Sequence, residues 1–167
     1  ERVLIHGGNG GVGHLAVQFA KAKGAWVATT ASAVDVPFVL GLGADQVVDY
    51  RAQRFEDLVQ PVDLVLDLIA GETQERSWAL LKPGGRLVTA LGQISEEKAR
   101  AKGVRATSFF AQANAAQLSE IGRLIDAGKV RVEIQATFPW PEVGRAQDRL
   151  EKEHNRGKVV LDMAQRK

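Results

Sequence analysis

The chain of 167 residues contains no cysteine. Disulfides, a thiolate nucleophile, iron–sulfur clusters and cysteine-ligated zinc are therefore excluded from its own residues. A cysteine-free chain fits a reducing cytoplasm, which is the expected location. No apolar run reaches the roughly 18 residues of a membrane helix, and no signal-peptide pattern is read at its start. An excess of one charge is missing too: 22 Lys and Arg face 20 Asp and Glu, a net charge of +2. Neither a nucleic acid nor a membrane is an expected partner. His6, His14 and His154 lack metal-ligand spacing, so no metal is expected. A G-x-S-x-G elbow and a Walker lysine are also missing.

Two local absences matter more. After Glu1 no acid occurs before Asp35, and no Lys or Arg occurs between Gly24 and Tyr50. The chain also enters an apolar run almost at once, at Val3, as expected of a domain cut from a longer protein.

What is present is an alternation of short apolar runs and amphipathic stretches. Strands are expected at Val3-Leu4-Ile5, 26–30, 46–49, 62–68, 86–90 and 104–109, and at 158–161. Between them lie helices after Gly13, at 35–42 and at about 72–81. In the first helix Val12, Leu15, Ala16, Phe19 and Ala20 are expected to face the core, with His14, Gln18 and Lys21 on the polar side. Trp78 and Leu81 are expected to be buried by the third. Asn114 and Gln117 mark the start of a later helix carrying Leu118, Ile121 and Ile125. Pro141 opens another, with Val143, Ala146 and Leu150 on one face. Residues 130–138 read as extended. This rhythm predicts an α/β fold, a Rossmann-type doubly wound parallel sheet with helices on both faces.

The run Gly8-Asn9-Gly10-Gly11-Val12-Gly13 carries G-x-G-x-x-G between a buried strand and an amphipathic helix. Gly8 permits the tight turn, Gly10 the approach of a pyrophosphate, and Gly13 close packing of helix on strand. Amides at the helix start then face the phosphates.

The second strand ends Thr29-Thr30-Ala31-Ser32, with hydroxyls where an NAD site needs a carboxylate. An obstacle to a 2′-phosphate is thereby removed, and NADP(H) is expected over NAD(H). Thr30, Ser32 and Tyr50 are candidate donors to that phosphate; Ser32 is equally a helix cap, and Tyr50 also fits packing against a loop. Arg51 and Arg54 are the nearest cations, each also readable as a solvated surface charge.

Together with Leu42-Gly43-Ala44-Asp45, Asp49-Tyr50, Leu80-Leu81-Lys82-Pro83-Gly84-Gly85-Arg86 and Arg156-Gly157-Lys158-Val159-Val160-Leu161, these motifs resemble the cofactor-binding half of the medium-chain dehydrogenase/reductase superfamily. The likeness is closest to the zinc-independent, zeta-crystallin-like quinone oxidoreductases. The resemblance implies an NADP(H)-dependent enzyme transferring hydride to a quinone or an α,β-unsaturated carbonyl. It implies pyrophosphate contacts at Asn9, Gly10, Gly11 and Val12, and 2′-phosphate contacts at Ser32 and Tyr50. Leu68 and Ile69 match positions along the nicotinamide ribose. Leu91, Gly92, Phe109 and Phe110 match the nicotinamide end. Lys158, in the terminal Gly-Lys strand, reads better as a surface lysine. No catalytic residue is assigned.

Two departures stand out. Asp35 and Val36 occupy a stretch where the family often carries lysine. An N-terminal domain that supplies the other wall of the cleft is not in these residues. Residues 1–128 are thus expected to form the dinucleotide domain, and residues 129–167 to pack partly with that missing domain. Val132 and Ile134, or Val159, Val160 and Leu161, should then be less buried than their type suggests. A homodimer is a further expectation. The alternatives are a non-catalytic nucleotide-binding module and an adenosylmethionine-dependent methyltransferase.

Overall fold

The computed structural model describes residues 1–165. Six parallel strands are β1 (Arg2–Ile5), β2 (Trp26–Ala31), β3 (Gln46–Asp49), β4 (Val62–Asp67), β5 (Leu81–Thr89) and β6 (Arg105–Ser108). They lie in the order β3-β2-β1-β4-β5-β6. That order reverses direction between β1 and β4, which opens a crevice at the carboxyl ends of the strands. The doubly wound sheet expected from the sequence is thus the observed one.

Successive residues of the buried strands serve opposite faces. Val3 and Ile5 join Val17, Val27 and Leu42 in one core layer, beneath α1 (Gly13–Ala22) and α2 (Val36–Gly41). Leu4, Val65 and Leu87 join Phe55, Trp78 and Ala99 in the other. That second layer lies under α3 (Phe55–Leu58), α4 (Gly71–Ser77) and α5 (Glu96–Ala101). Residues 78–80 form a single 3-10 turn, and Leu81 already belongs to β5 and is only half-buried. The helix expected to run to Leu81 therefore stops at Ser77. The pairing of β4 with β5 slips between Val62 and Leu64, and the exposed Pro83 and Gly84 bow out of the strand there.

Beyond β6 come α6 (Ala115–Asp126), β7 (Ile134–Pro139), α7 (Val143–Lys152) and β8 (Lys158–Asp162). Asn114 caps α6, its Oδ1 accepting from the amide of Gln117 at 3.0 Å. β7 and β8 pair with each other, parallel, as a separate two-stranded sheet. Val132 and Ile134 are exposed, while Val159, Val160 and Leu161 are half-buried. α6 buries none of its residues and α7 buries only Ala146.

The polarity of α1 is the reverse of the expectation in one respect. His14 and Gln18 are buried, Val12 is 54% exposed, and Leu15, Ala16, Phe19 and Ala20 are half-buried. The cause is the irregular segment leading into β7. Gln18 donates to the carbonyl of Arg131 at 2.9 Å and accepts from its amide at 2.8 Å. The amide of Glu133 donates to Nε2 of His14 at 3.4 Å. Backbone groups brought to the helix need polar partners, and these two side chains supply them.

Candidate functional site

The loop from Gly7 to Gly13 joins β1 to α1 at the mouth of the crevice. Its shape is held from three sides. Gly8 N–H donates to the Thr30 carbonyl and Gly10 N–H to the Gly7 carbonyl, both at 3.0 Å. A Cβ on Gly13 would collide with the carbonyl of Gly7, and one on Gly8 with the hydroxyl of Thr29. Helix and strand therefore approach closer than any side chain allows. Among the described residues no protein acceptor takes the amide protons of Gly11 and Val12. Those two donors, at the positive end of α1, form a cradle for an anion.

The C-terminal segment crosses this loop. Gly157 N–H donates to the Asn9 carbonyl at 2.8 Å, and the Asn9 side chain donates to the Asn155 carbonyl at 3.1 Å. The ammonium of Lys158 would lie 3.5 Å from a Cβ on Gly11. Lys158 is exposed, as a surface lysine is, and it also stands over the Gly11 end of the loop.

Beside the loop, a cavity of about 470 Å³ opens between the ends of β1, β2 and β3. Thr30, Tyr50, Asn9 and Ile69 line it, as do Gln53, Phe55, Thr73 and Arg76. The last four carry no functional signal in the sequence. Phe55 begins a helix of four residues, too short to show a period. Arg76 lies with its guanidinium 4.7 Å from the centroid of Phe55 and pairs with both oxygens of Glu56. That guanidinium holds the Glu56 carboxyl down at about 2.

His6 is fully buried under the same wall, its ring edge-on to Phe55 at 4.7 Å. Its protons can be assigned. Ser77 spends its hydroxyl proton on the Thr73 carbonyl at 2.6 Å, so His6 Nε2–H must donate to Ser77 Oγ at 2.8 Å. Nδ1 then accepts from the Thr30 hydroxyl at 3.3 Å, which itself accepts from Gly7 N–H at 3.1 Å. Burial pushes the imidazole down to about 4. The ring is a neutral strut between β2, the loop and α4. His14 is likewise satisfied, with Nδ1–H donating to Gly10 O at 2.9 Å, and burial lowers it.

The turn after β4 is organised by Asp67. This fully buried carboxylate accepts from the amides of Ile69 and Ala70 at 3.0 and 2.9 Å, from Gln74 at 2.9 Å and from Thr89 at 3.0 Å. Burial alone would raise its pKa, but those donors outweigh burial and hold it low. Ala70 follows at φ 65° and ψ −166°, a region suited to glycine. Ile69 is exposed beside the loop, with Leu68 half-buried next to it.

The remaining expected positions distribute as follows. Leu91, Gly92, Phe109 and Phe110 are exposed beyond β5 and β6, Phe110 at 94%. Tyr50 is exposed, its hydroxyl accepting from Arg51 Nε at 3.4 Å. Thr30 is buried and committed to His6 and the loop. Ser32 is buried, and its hydroxyl donates to Asp35 at 3.1 Å. His154 lies beyond the end of α7. Among the described residues no group of three His, Asp or Glu side chains is placed to hold a metal ion.

A doubly wound sheet with a glycine loop, unspent amides and an adjoining cavity is the architecture of a dinucleotide-binding domain. A family profile described as zinc-binding dehydrogenase matches residues 42–161. The chain belongs to that family, within the medium-chain dehydrogenase/reductase superfamily and like its zinc-independent quinone oxidoreductases. It is 37% identical over 191 residues to the zebrafish (Danio rerio) mitochondrial NAD(P)H oxidoreductase RTN4IP1, covering 98% of this chain and 49% of that protein. It is 34% identical over 165 residues to the chloroplastic NADPH-dependent alkenal/one oxidoreductase of Arabidopsis thaliana, covering 96% and 40%. The quinone oxidoreductase of Coxiella burnetii superposes with a TM-score of 0.90 at 38% identity, covering 97% of this chain and 53% of that one. The chain thus spans about half the length of the relatives it matches.

Proposed function

We propose that this chain is the NADP(H)-binding half of an oxidoreductase that delivers hydride to a quinone or an α,β-unsaturated carbonyl. The observation that carries the reading is the pair of unspent amides at Gly11 and Val12, in a loop whose Gly8 and Gly13 leave no room for a side chain. The cofactor supplies a hydride at its nicotinamide ring when bound. The residues of the chain bind and orient it. The amides and Lys158 hold the diphosphate, the cavity walled by Phe55 and Arg76 takes the adenosine, Leu68 and Ile69 run along the nicotinamide ribose, and Leu91, Phe109 and Phe110 border the nicotinamide end. These exposed apolar side chains suit a flat, electron-poor substrate and exclude water once the other wall is in place.

The second half of the cleft comes from an N-terminal domain outside these residues. His6 and His14 are neutral and have both ring nitrogens engaged, so the product's proton comes from that domain or from water. A homodimer through the unpaired edge of β6 belongs to the same reading.

The test is paired calorimetric titration with NADPH and NADH. Tighter binding of NADPH, and quinone or enone turnover when the N-terminal domain is supplied, are the expected results. Binding of adenosylmethionine without NADPH would overturn the reading.

A further inference from the structure

The stretch from Gly24 to Tyr50 has no cation, yet an NADP(H) site needs one. The structure brings it from the other end of the chain. Asp35, just past β2, is fully buried, and both of its carboxylate oxygens are engaged by protein partners. Oδ2 accepts from Ser32 at 3.1 Å and from His154 Nε2 at 2.5 Å. Oδ1 accepts from Arg156 Nε at 2.9 Å, and Nη2 of the same guanidinium is ion-paired to it at 2.8 Å. The same guanidinium lies 4.9 Å from the Phe38 centroid and reaches the Val34 carbonyl at 3.4 Å. The segment 154–156 is thereby clasped to the end of β2.

Two consequences follow. The carboxylate of Asp35 has no free oxygen with which to hold ribose hydroxyls, and Arg156 neutralises its charge. Asp35 therefore does not play the part of an NAD-selecting acid. The clasp also sets His154, with its side chain 43% exposed, on the rim of a recess of about 260 Å³. Ser32, Ala33, Val34 and Arg51 complete that recess. Arg54, the other nearby cation, is turned away to Glu56 and Asp57.

We propose that His154 and Arg51 read the 2′-phosphate of NADP(H) in this recess, with Asp35 as the buried residue that positions His154. The inference rests on the NADP(H) reading above. A phosphate between the two side chains receives charge-assisted hydrogen bonds from both, and His154 then bridges two anions, the phosphate and Asp35. The dephosphorylated cofactor has nothing to place there.

The experiment is calorimetric titration of NADPH and NADH into the chain and its variants at one pH and ionic strength. His154→Ala should weaken NADPH by roughly tenfold and NADH by less than about twofold. Arg51→Ala should show the same split. His154→Arg, which restores a cation, should recover most of the NADPH affinity, an outcome no loss of folding can imitate. Asp35→Asn should reproduce the NADPH-selective loss with a smaller effect on NADH. If the unaltered chain prefers NADPH while His154→Ala leaves that preference intact, the proposal is wrong and the NADP(H) reading survives. If the unaltered chain binds both cofactors equally, both fail.

Discussion

His6 Nε2 donates to Ser77 Oγ across 2.8 Å, joining the end of β1 to the end of α4. The bond requires a neutral ring, because Nδ1 must stay free to accept from Thr30. The unfolded chain takes a proton at His6 near its ordinary value of 6.5, whereas the folded chain declines it down to about 4. Stability is therefore complete above pH 6.5 and drains as pH falls from 6.5 to 4, by about 3 kcal/mol from this one group. His14 shifts in the same direction and adds to the slope. Denaturant melts across that range should show the loss, and His6→Gln should flatten much of it.

Ala70 occupies a backbone region that side chains avoid, held there by the two amide bonds to Asp67. Ala70→Gly should relieve strain that exceeds the added flexibility of the unfolded chain. A gain of about 1 kcal/mol in unfolding free energy is expected. A loss of stability would show that the turn after β4 is relaxed as it stands.

Two glycines of the loop should separate folding from binding. A Cβ on Gly13 meets the Gly7 backbone, so Gly13→Ala should cost more than about 2 kcal/mol of stability. A Cβ on Gly10 stands 3.3 Å from the Gly7 oxygen, a contact that small shifts accommodate. Gly10→Asp should therefore fold and yet lose both cofactors, because its carboxylate occupies the diphosphate path. Circular dichroism melts and calorimetry on the two variants check the contrast.

Lys158 lies over Gly11, on the path proposed for the diphosphate common to both cofactors. Lys158→Ala should weaken NADPH and NADH alike, by roughly fivefold. A selective loss of NADPH would place the lysine at the 2′-phosphate instead.

The sheet and its loop were legible because buried parallel strands are continuous apolar runs, and because the turn needs glycine at fixed spacing. β3 spans Gln46–Asp49 as the pattern predicts. α3 and α5, with four and six residues, were not legible, since so short a helix shows no period; α2, equally short, is marked instead by Pro37 near its start and Gly43 after it. The buried face of α1 was misread at His14 and Gln18 because their partners lie more than a hundred residues away. The same distance hid the clasp of Asp35 on His154 and Arg156. Local pattern reports which residues are polar, and only tertiary packing decides which polar residues meet.

The most direct measurement is a crystal structure of the chain with NADPH bound. The diphosphate should sit within hydrogen-bond distance of the Gly11 and Val12 amides, against the first turn of α1, with the Lys158 ammonium beside it. A diphosphate lodged elsewhere on the molecule, with those amides turned to solvent, would contradict the account.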